Sequence, residues 1–494
     1  MEGAAPAINI EVSAWSLVSF CLYYLFIIAV GIYTTRFSSA GITEFFLGGR
    51  KMKHFVVALS AVVSGRSAWL VLGVSGMAYT RGVSAIWALV GYILMELFLF
   101  LFVAKPLRHF TEKMDNLTLP DFFESRFQDK SSLLRMLSVS IILIFMLAYI
   151  SAQFNAGGKA FHGSFGISNT SGILITVAIV LIYTILGGFF AVSIIDMIQA
   201  ICMILALLIL PLIVILKTGG IISVLEVLAA LDPKLIDPFA LTWGVFIGFI
   251  GIGFGSPGNP HILARYMSID DPRQLRVSAV IGTIWNVVMA WGAVYIGLVG
   301  RVIYPQQSLL PGADTEQLYP YLAQNYVHPL LFGLILASIF AAIMSTADSQ
   351  LLVAASAVVR DIYQKIIRKT IEISQKRLVL LSRIVVLVLV CLALVLAVIA
   401  KQLIFWLVLF AWGGLGASIG PVVILALFWK KTNKWGAAAG LITGTVITVI
   451  WNQVAFLKSL IYELVPAFFL STIVVILVSI FTGSNKTEPR INTD

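Results

Sequence analysis

The sequence predicts an all-α polytopic membrane protein, and three observations support that fold class. Of the 494 residues, 60% are hydrophobic and only 11% are charged, whereas soluble domains carry roughly 25% charged residues. The mean hydropathy is +1.00. One apolar stretch after another reaches the roughly 20 residues that a helix needs to cross a bilayer, without the alternation of a membrane barrel. A soluble enzyme is excluded.

Thirteen membrane spans are predicted, because each apolar run ends at glycine, proline or a cluster of charges. Their approximate bounds are 13–34, 54–80, 83–104, 134–160, 170–187, 189–215, 240–258, 275–300, 327–357, 379–400, 402–429, 434–455 and 459–482. An odd number of spans places the two ends of the chain on opposite sides of the membrane.

The distribution of lysine and arginine predicts the orientation, because cationic loops are retained in the cytoplasm. With the N-terminus outside, the inside segments hold 25 of the 33 basic residues, the outside segments hold seven, and Arg66 lies within a span. We therefore expect a multi-pass plasma-membrane protein with an external N-terminus and a cytoplasmic C-terminus. The net charge of +10 then reflects topology and attraction to anionic lipid, and nucleic acid is not an expected partner.

Four ionisable residues fall inside predicted spans, namely Arg66, Glu96, Asp196 and Asp348. Such residues are costly in lipid and mark functional sites unless they are paired for structural reasons. For Glu96 the sequence favours a structural explanation, either pairing with a neighbouring cation or a protonated helix contact.

Two spans contain residues that interrupt a helix. Ser64, Gly65, Arg66 and Ser67 lie in the middle of the second span, and the seventh carries five glycines and a proline within 248–258. Transporters use such breaks to expose backbone groups to a cation or substrate, although small residues in the second span are also typical of close helix packing. Two broken helices predict inverted repeats, here 54–215 and 240–429, with one helix before them and two after.

The ninth span presents oxygen-bearing side chains on one face. Ser345, Asp348 and Ser349 are three and four positions apart, and Thr346 adjoins them. Hydroxyl and carboxylate oxygens suit a small monovalent cation, and Asp196 on the sixth span could add a second carboxylate. Two carboxylates in lipid need a counter-charge, for which a bound cation and Arg66 are the competing candidates.

The chain resembles the sodium:solute symporter family, and the sodium/proline symporters most closely. The motifs that carry the resemblance are Phe46–Arg50 (FLGGR), Ser67–Leu70 (SAWL), 183–192 (YTILGGFFAV) followed by Asp196, Gly258–Met267 (GNPHILARYM), Met344–Gln350 (MSTADSQ) and Gly416–Val423 (GASIGPVV). The resemblance implies about thirteen helices, a LeuT-type core of five-plus-five inverted repeats, and alternating access.

The resemblance also implies the sites. A principal Na+ site would use the backbone carbonyls of Val63, Arg66 and Ala342 with the hydroxyls of Ser345 and Thr346, and a second would use Asp196, Ser345, Asp348 and Ser349. Arg50 matches a basic residue associated with coupling, and Trp69 and Tyr149 match pocket aromatics. The candidate substrate site comprises Ser64, Gly65, Arg66, Ser67, Trp69, Tyr149, Ile252 and Ser256.

Three departures from the proline symporters concern this region. Those proteins have an aspartate at the position of Gly65, an apolar residue at that of Arg66, and a pocket tryptophan at that of Ile252. Three roles for Arg66 remain open: a bidentate ligand of a substrate carboxylate, a fixed surrogate cation near the principal site paired with Asp348, and a purely structural residue that points away from the site.

The predicted function is sodium-driven import of a small solute, with proline or a related amino acid as the expected substrate. The alternatives are a symporter for another carboxylate or a sugar-like solute, and a sensor of the same fold that binds solute without transporting it. Sodium, the solute and membrane lipid are the expected partners; no catalytic constellation is present, and the oligomeric state is not readable.

Overall fold

The computed structural model describes residues 13–38, 41–369, 373–399 and 404–483, and their secondary structure is helical. Two basic residues of the predicted C-terminal tail and Lys401 lie outside the described residues. The α-helices are Ala14–Ser38, Ile42–Leu47, His54–Ala68, Ser75–Arg81, Ile86–Phe98, Ala104–Lys113, Leu119–Phe127, Leu133–Phe165, Asn169–Lys217, Ile221–Leu231, Trp243–Gly251, Pro260–Ser268, Leu275–Ile303, Leu318–Tyr326, Pro329–Ser356, Gln375–Ile399, Ile404–Phe428, Lys434–Gln453, Ala455–Leu460 and Leu464–Phe481.

The predicted spans correspond to these helices. Within the described residues, ten helical stretches are long and apolar enough to cross a membrane. One of them, His54–Lys113, contains two predicted spans, and the shorter apolar helices Asn169–Ile182 and Trp243–Gly258 account for two more. The chain is therefore a multi-pass helical membrane protein.

Glycine separates the fifth and sixth predicted spans without ending the helix between them. At Gly188 the backbone adopts φ 55° inside Asn169–Lys217, a conformation that costs other residues free energy. A Cβ there would also lie 2.9 Å from the Phe45 ring. The sequence boundary predicted between 187 and 189 is thus a kink against the helix Ile42–Leu47.

Two helices form the centre of the molecule. In the most apolar stretches of Pro329–Ile367 and Ile404–Phe428, 83% of the residues are buried, against 33% in Ala14–Thr34. We call Pro329–Ser356 the serine helix, because it carries Ser345 and Ser349. Its central position explains how hydroxyls and a carboxylate are kept away from lipid.

The connection between the third and fourth predicted spans is helical, with Ala104–Lys113 and Leu119–Phe127. The short helix Leu119–Phe127 packs beside Leu133–Phe165, where Arg135 donates to Asp121 (2.8 Å) and Glu124 (2.6 Å) and also pairs with Asp361. Although burial opposes it, neighbouring arginines, Arg360 first, lower the pKa of Asp121 below its usual value. Through Arg135, this buried network connects the helix Leu119–Phe127 to Asp361, which follows the serine helix in sequence.

Candidate functional site

The first broken helix consists of His54–Ala68, the wider turn Trp69–Val74 and Ser75–Arg81. Its break lies at Ser67, where φ is 30° and ψ is −174°, a region that L-residues rarely adopt. The backbone amides that follow the break form hydrogen bonds with nearby side chains. The Ala68 amide donates to Gln153 Oε1 (3.1 Å), and the Trp69 amide donates to Ser67 Oγ (3.1 Å). The interruption predicted at 64–67 is confirmed.

The second broken helix consists of Trp243–Gly251, a tighter turn over Ile252–Gly258 and Pro260–Ser268. Asn259 is extended (φ −94°, ψ 103°) between the two halves, and Pro260 begins the second half, where a missing amide costs nothing. The carbonyl of Ile252 accepts a hydrogen bond from Trp412 Nε1 (2.8 Å). The interruption predicted from the glycine-rich run is confirmed.

The serine helix contacts the first break through hydroxyl groups. Ser345 Oγ donates to the carbonyls of Ala342 (3.3 Å) and Val63 (3.5 Å), and Thr346 Oγ1 donates to the carbonyl of Ser64 (2.9 Å). Carbonyl and hydroxyl oxygens therefore converge from two helices, which is the donor set that transporters use for Na+ at an unwound helix. Val63, Ala342, Ser345 and Thr346 thus lie together here. The ligand expected from Arg66 is its backbone carbonyl, and its side chain points elsewhere.

The residues expected at the second sodium site surround an arginine. Asp196 Oδ2 accepts from Ser60 (2.6 Å), Ser64 (3.2 Å) and Arg265 Nη2 (3.0 Å). The same Nη2 donates to Ser349 Oγ, and Arg265 is 1% exposed. Its guanidinium thus lies between two of the predicted ligands.

This geometry corrects two expectations from the sequence. The counter-charge of Asp196 is Arg265, whereas the sequence offered a bound cation or Arg66. Arg265 also lies buried in the second broken helix, outside the spans predicted at 240–258 and 275–300. Ser349 also donates to the carbonyl of Ser345 (2.6 Å) and to Asp348 Oδ1 (3.1 Å). All four predicted ligands are close in space, but a fixed cation already lies among them.

Arg66 belongs to a different buried cluster. Its Nε donates to Asn286 Oδ1 (2.6 Å), and Asn286 Nδ2 in turn donates to Glu96 Oε2. The guanidinium carbon lies 4.0 Å from the centre of the Tyr92 ring, and neither Nη atom has a hydrogen-bond partner among the described residues. The structural explanation for Glu96 therefore fits, with Arg66 as the neighbouring cation. Among the described residues, the hydrogen bond of Arg66 goes to Asn286 and not to Asp348.

A narrow central pocket of about 200 Å³ lies between the two breaks. It is lined by Gly65, Trp69, Tyr92, Tyr149, Ile252, Val408, Leu409 and Trp412. A Cβ on Gly65 would lie 2.0 Å from the Tyr92 hydroxyl, so glycine permits this ring to approach. Trp69 Nε1 and the Tyr92 hydroxyl have no hydrogen-bond partner among the described residues, and both residues face an otherwise apolar space.

Six of the eight residues predicted for the substrate site thus line the pocket or contact its lining. Gly65, Trp69, Tyr149 and Ile252 are in its wall, Ser67 Oγ lies 3.4 Å from the Tyr149 hydroxyl, and Arg66 lies against the ring of Tyr92. Ser64 points toward Asp196 instead, and Ser256 is buried in the second break outside the lining.

Arg50 precedes the first broken helix in sequence and connects three segments. Its guanidinium donates to the carbonyls of Met267 (3.0 Å), Thr111 (3.0 Å) and Asn116 (2.7 Å). Burial and the nearby Arg108 lower its pKa to about 10, so it stays charged at neutral pH. Arg50 therefore connects the end of the second broken helix to the 111–116 segment.

Sequence reasoning missed Arg265, Asn286, Gln153, Tyr92 and Trp412. Arg265 carried one signal, since it follows Pro260 by five residues and hence falls on the second half of a helix already predicted to be broken. The other four give no local signal, because amides and aromatics inside apolar spans are ordinary packing residues until their neighbours are known.

Two discontinuous helices that face each other across a buried pocket, with converging hydroxyl and carbonyl oxygens beside one break, are typical of a secondary transporter. The sequence of residues 45–444 matches the profile of the sodium:solute symporter family. The chain therefore belongs to that family and is a sodium-coupled symporter rather than an enzyme.

Several curated relatives match nearly end to end. The chain is 37% identical to the osmoregulated proline transporter OpuE of Bacillus subtilis (94% of each chain), and 39% identical to the high-affinity proline transporter PutP of the same organism (90% of this chain, 93% of that one). It is 37% identical to the sodium/proline symporter of Escherichia coli (95% and 93%).

Solved structures give the same fold. A Na+-coupled sialic acid symporter in a substrate-bound outward-open state superposes with a TM-score of 0.82 at 19% identity, over 96% of this chain and 100% of that one. The nucleobase-cation-symport transporter MHP1, in a closed conformation, superposes with a TM-score of 0.58 at 12% identity, over 90% and 96%. At these identities the likeness concerns the LeuT-type fold alone.

Proposed function

We propose that this protein imports proline across the cell membrane, driven by one sodium ion per proline. The observation that carries the proposal is the end-to-end similarity to three proline transporters at 37–39% identity. The pocket chemistry agrees with it, because a small and largely aromatic space suits a compact pyrrolidine ring better than a sugar.

The substrate would bind in the central pocket beside the Ser67 break. The unpartnered donors there, Trp69 Nε1 and the Tyr92 hydroxyl, would receive the proline carboxylate, because buried donors without partners carry a desolvation cost that such a ligand removes. The ring would pack against Tyr149 and Ile252. Ser67 would contact the polar end of the substrate from the first break.

The driving sodium ion would bind between the first broken helix and the serine helix. Its ligands would be the carbonyls of Val63, Arg66 and Ala342 and the hydroxyls of Ser345 and Thr346. The donor set fits the ion, since the hydroxyls already lie within 3.5 Å of neighbouring carbonyls. Proline and sodium would both favour the same occluded arrangement, and that shared preference is the coupling.

A single sodium ion follows from Arg265. Its guanidinium contacts Asp196 and Ser349, the two residues that would have to ligate a second ion together with Ser345 and Asp348. A second cation within about 4 Å of a buried arginine would be strongly repelled at low effective dielectric. Arg265 would therefore serve as the permanent charge at this position.

Transport would alternate access by moving one repeat against the other around the fixed site. The repeats would be 54–215 and 240–429, and the positive-inside distribution of charge supports an external N-terminus and a cytoplasmic C-terminus. Arg50, which joins the second broken helix to the 111–116 segment, would transmit movement at the inner face.

The decisive experiment is uptake of labelled proline into proteoliposomes with and without an inward sodium gradient. We expect sodium-dependent accumulation in the wild type and a large rise in the sodium concentration for half-maximal uptake in Thr346→Ala. Ser338→Ala is the matched control, because its hydroxyl bonds only within the outer part of the same helix and to Tyr319. Binding of proline without accumulation or counterflow would instead indicate a sensor and would refute transport.

A further inference from the structure

Tyr92 brings a hydroxyl group to the central pocket from the helix Ile86–Phe98. The residue is 1% exposed, and its hydroxyl has no hydrogen-bond partner among the described residues. No hydrogen bond within this part of the chain therefore holds the hydroxyl in place. Its position depends on the contacts that fix the ring.

The walls of the pocket provide part of that restraint. The Tyr92 ring fits beside the first break because residue 65 is glycine, and a Cβ there would collide with the hydroxyl. The indoles of Trp69 and Trp412 stack near the ring, with centroids 6.2 Å and 5.5 Å away and interplanar angles of 27° and 26°. Such stacking restrains the tilt of the ring from within the pocket.

Arg66 contacts the same ring but is not part of the pocket lining. Its guanidinium carbon lies 4.0 Å from the centre of the Tyr92 ring, well within the range of a cation–π contact. Arg66 is fully buried, and a desolvated cation is attracted to an aromatic face more strongly than an exposed one. Arg66 therefore restrains the ring from behind the pocket wall.

The guanidinium is itself held by neighbouring helices. Arg66 Nε donates to Asn286 Oδ1 (2.6 Å), and Asn286, on the helix Leu275–Ile303, donates to Glu96. Glu96 lies four residues after Tyr92 on the same helix, so these contacts form a closed loop. The charges of Arg66 and Glu96 balance, which means that the loop fixes the guanidinium without placing a net charge beside the pocket.

We propose that Arg66 is a positioning residue for substrate binding. By stacking on Tyr92, it holds the Tyr92 hydroxyl where that group donates to the carboxylate of the substrate. The proposal rests on the proposed function, in which this hydroxyl receives the proline carboxylate. A donor that is already oriented loses less freedom when the ligand arrives, so Arg66 strengthens binding without touching the substrate.

The test is a double-mutant cycle on the KM for proline, measured by uptake into proteoliposomes at saturating sodium. Tyr92→Phe keeps the ring and removes the hydroxyl, so KM should rise about fivefold, the factor expected for one ordinary hydrogen bond. Arg66→Met should raise KM about threefold, because the hydroxyl remains but is no longer held in place. The double variant should stay at about fivefold, whereas independent effects would multiply to about fifteenfold. Maximal rates should change little.

Two further variants separate positioning from a loss of stability. Arg66→Met combined with Glu96→Gln removes both charges of the pair, so the melting temperature should recover in part while KM stays raised. Arg301→Met is the matched control, because the Arg301 guanidinium lies 5.1 Å from the centre of the Tyr79 ring and neither residue lines the pocket. Its KM should equal that of the wild type.

An unchanged KM in Arg66→Met or in Tyr92→Phe would overturn the proposal, as would an equal rise in Arg301→Met. A return of KM to the wild-type value when Glu96→Gln is added would also overturn it, because stability alone would then explain the effect. Multiplied effects in the double variant would show that Arg66 acts independently of the hydroxyl. Each of these results leaves proline transport standing, whereas no proline uptake by the wild type would refute both proposals.

Discussion

Two buried arginines illustrate how differently a membrane protein can use the same residue. Arg265 contacts a carboxylate directly and also bonds Ser60 and Ser349, within the group of residues expected to hold a cation. Arg66 reaches its carboxylate only through Asn286, lies on an aromatic ring and leaves both Nη atoms without partners among the described residues. Arg265 thus lies among the residues expected to hold a second cation, whereas the side chain of Arg66 compensates Glu96 away from the residues expected at either cation site.

The difference teaches that an intramembrane charge must be assigned by its neighbours. Arg66 follows the departure at Gly65 and adjoins the principal site in sequence, yet its side chain points away from that site. Arg265 is 69 residues from Asp196 in sequence, yet neutralises it. Four predictions test this division of roles, in decreasing order of expected effect.

The largest effect is expected for Arg265→Met. Removal of one partner of a buried ion pair leaves the other charge uncompensated, at a cost of about 3–5 kcal/mol. The apparent melting temperature should therefore fall sharply, and added sodium should recover part of the loss by occupying the vacated position near Asp196. The double variant Arg265→Met with Asp196→Asn should be more stable than the single one; equal stability of wild type and Arg265→Met would refute the pairing.

A smaller loss is expected for Arg66→Met. Its charge-assisted hydrogen bond to Asn286 and its contact with the Tyr92 ring together are worth about 2–3 kcal/mol. Stability should fall by that amount and recover in part when Glu96→Gln is added. Because Arg66 supplies only a backbone carbonyl to the proposed sodium site, the sodium dependence of uptake should not change. A shift in the sodium concentration for half-maximal uptake would show instead that the Arg66 side chain acts at that site.

A modest effect on substrate affinity is expected for Trp69→Phe. The loss of one hydrogen bond to a bound carboxylate is worth about 1 kcal/mol, so the KM for proline should rise roughly fivefold with little change in maximal rate. Trp285→Phe provides the control, because its indole donates to the carbonyl of Ala200 (3.3 Å), away from the pocket. An unchanged KM would mean that the Trp69 indole does not face the substrate.

The last prediction concerns the pH dependence of stability that Asp121 confers in the network around Arg135; the wild type should show the smallest effect of the four near neutral pH. Since its folded-state pKa is lowered, its ionisation stabilises the protein fully above the unfolded value of about 3.9, and that contribution is lost as the pH falls through the folded value. The melting temperature should be steady from neutral to mildly acidic pH and fall in strong acid. In Asp121→Asn the melting temperature should fall less in strong acid than it does in the wild type. An identical fall in the variant would show that other groups cause it.

Much of the fold could be predicted from the sequence, because hydropathy and glycine content act locally. The break at Ser67, the break over Ile252–Gly258 and the face shared by Ser345 and Ser349 all follow from composition and helical spacing. In each case the residues that determine the structure are neighbours in sequence.

The partners of the buried charges could not be predicted in the same way. Asp196 and Arg265 meet because the sixth span and the second half of the second broken helix both pack against the first broken helix. No spacing rule specifies which of two arginines lies nearer. The bridge through Asn286 depends on a helix 220 residues away from Arg66. Charge balance predicted that counter-charges exist, but three-dimensional packing decides which residues provide them.

The most direct test of the account is the ratio of charge to proline, measured from the reversal potential of proline-coupled current in proteoliposomes with defined sodium and proline gradients. One sodium at the Val63, Ser345 and Thr346 position, with Arg265 fixed at the other, predicts one net positive charge per proline. A ratio of two would show that a second sodium binds beside Asp196 and Ser349, and would contradict the role assigned to Arg265.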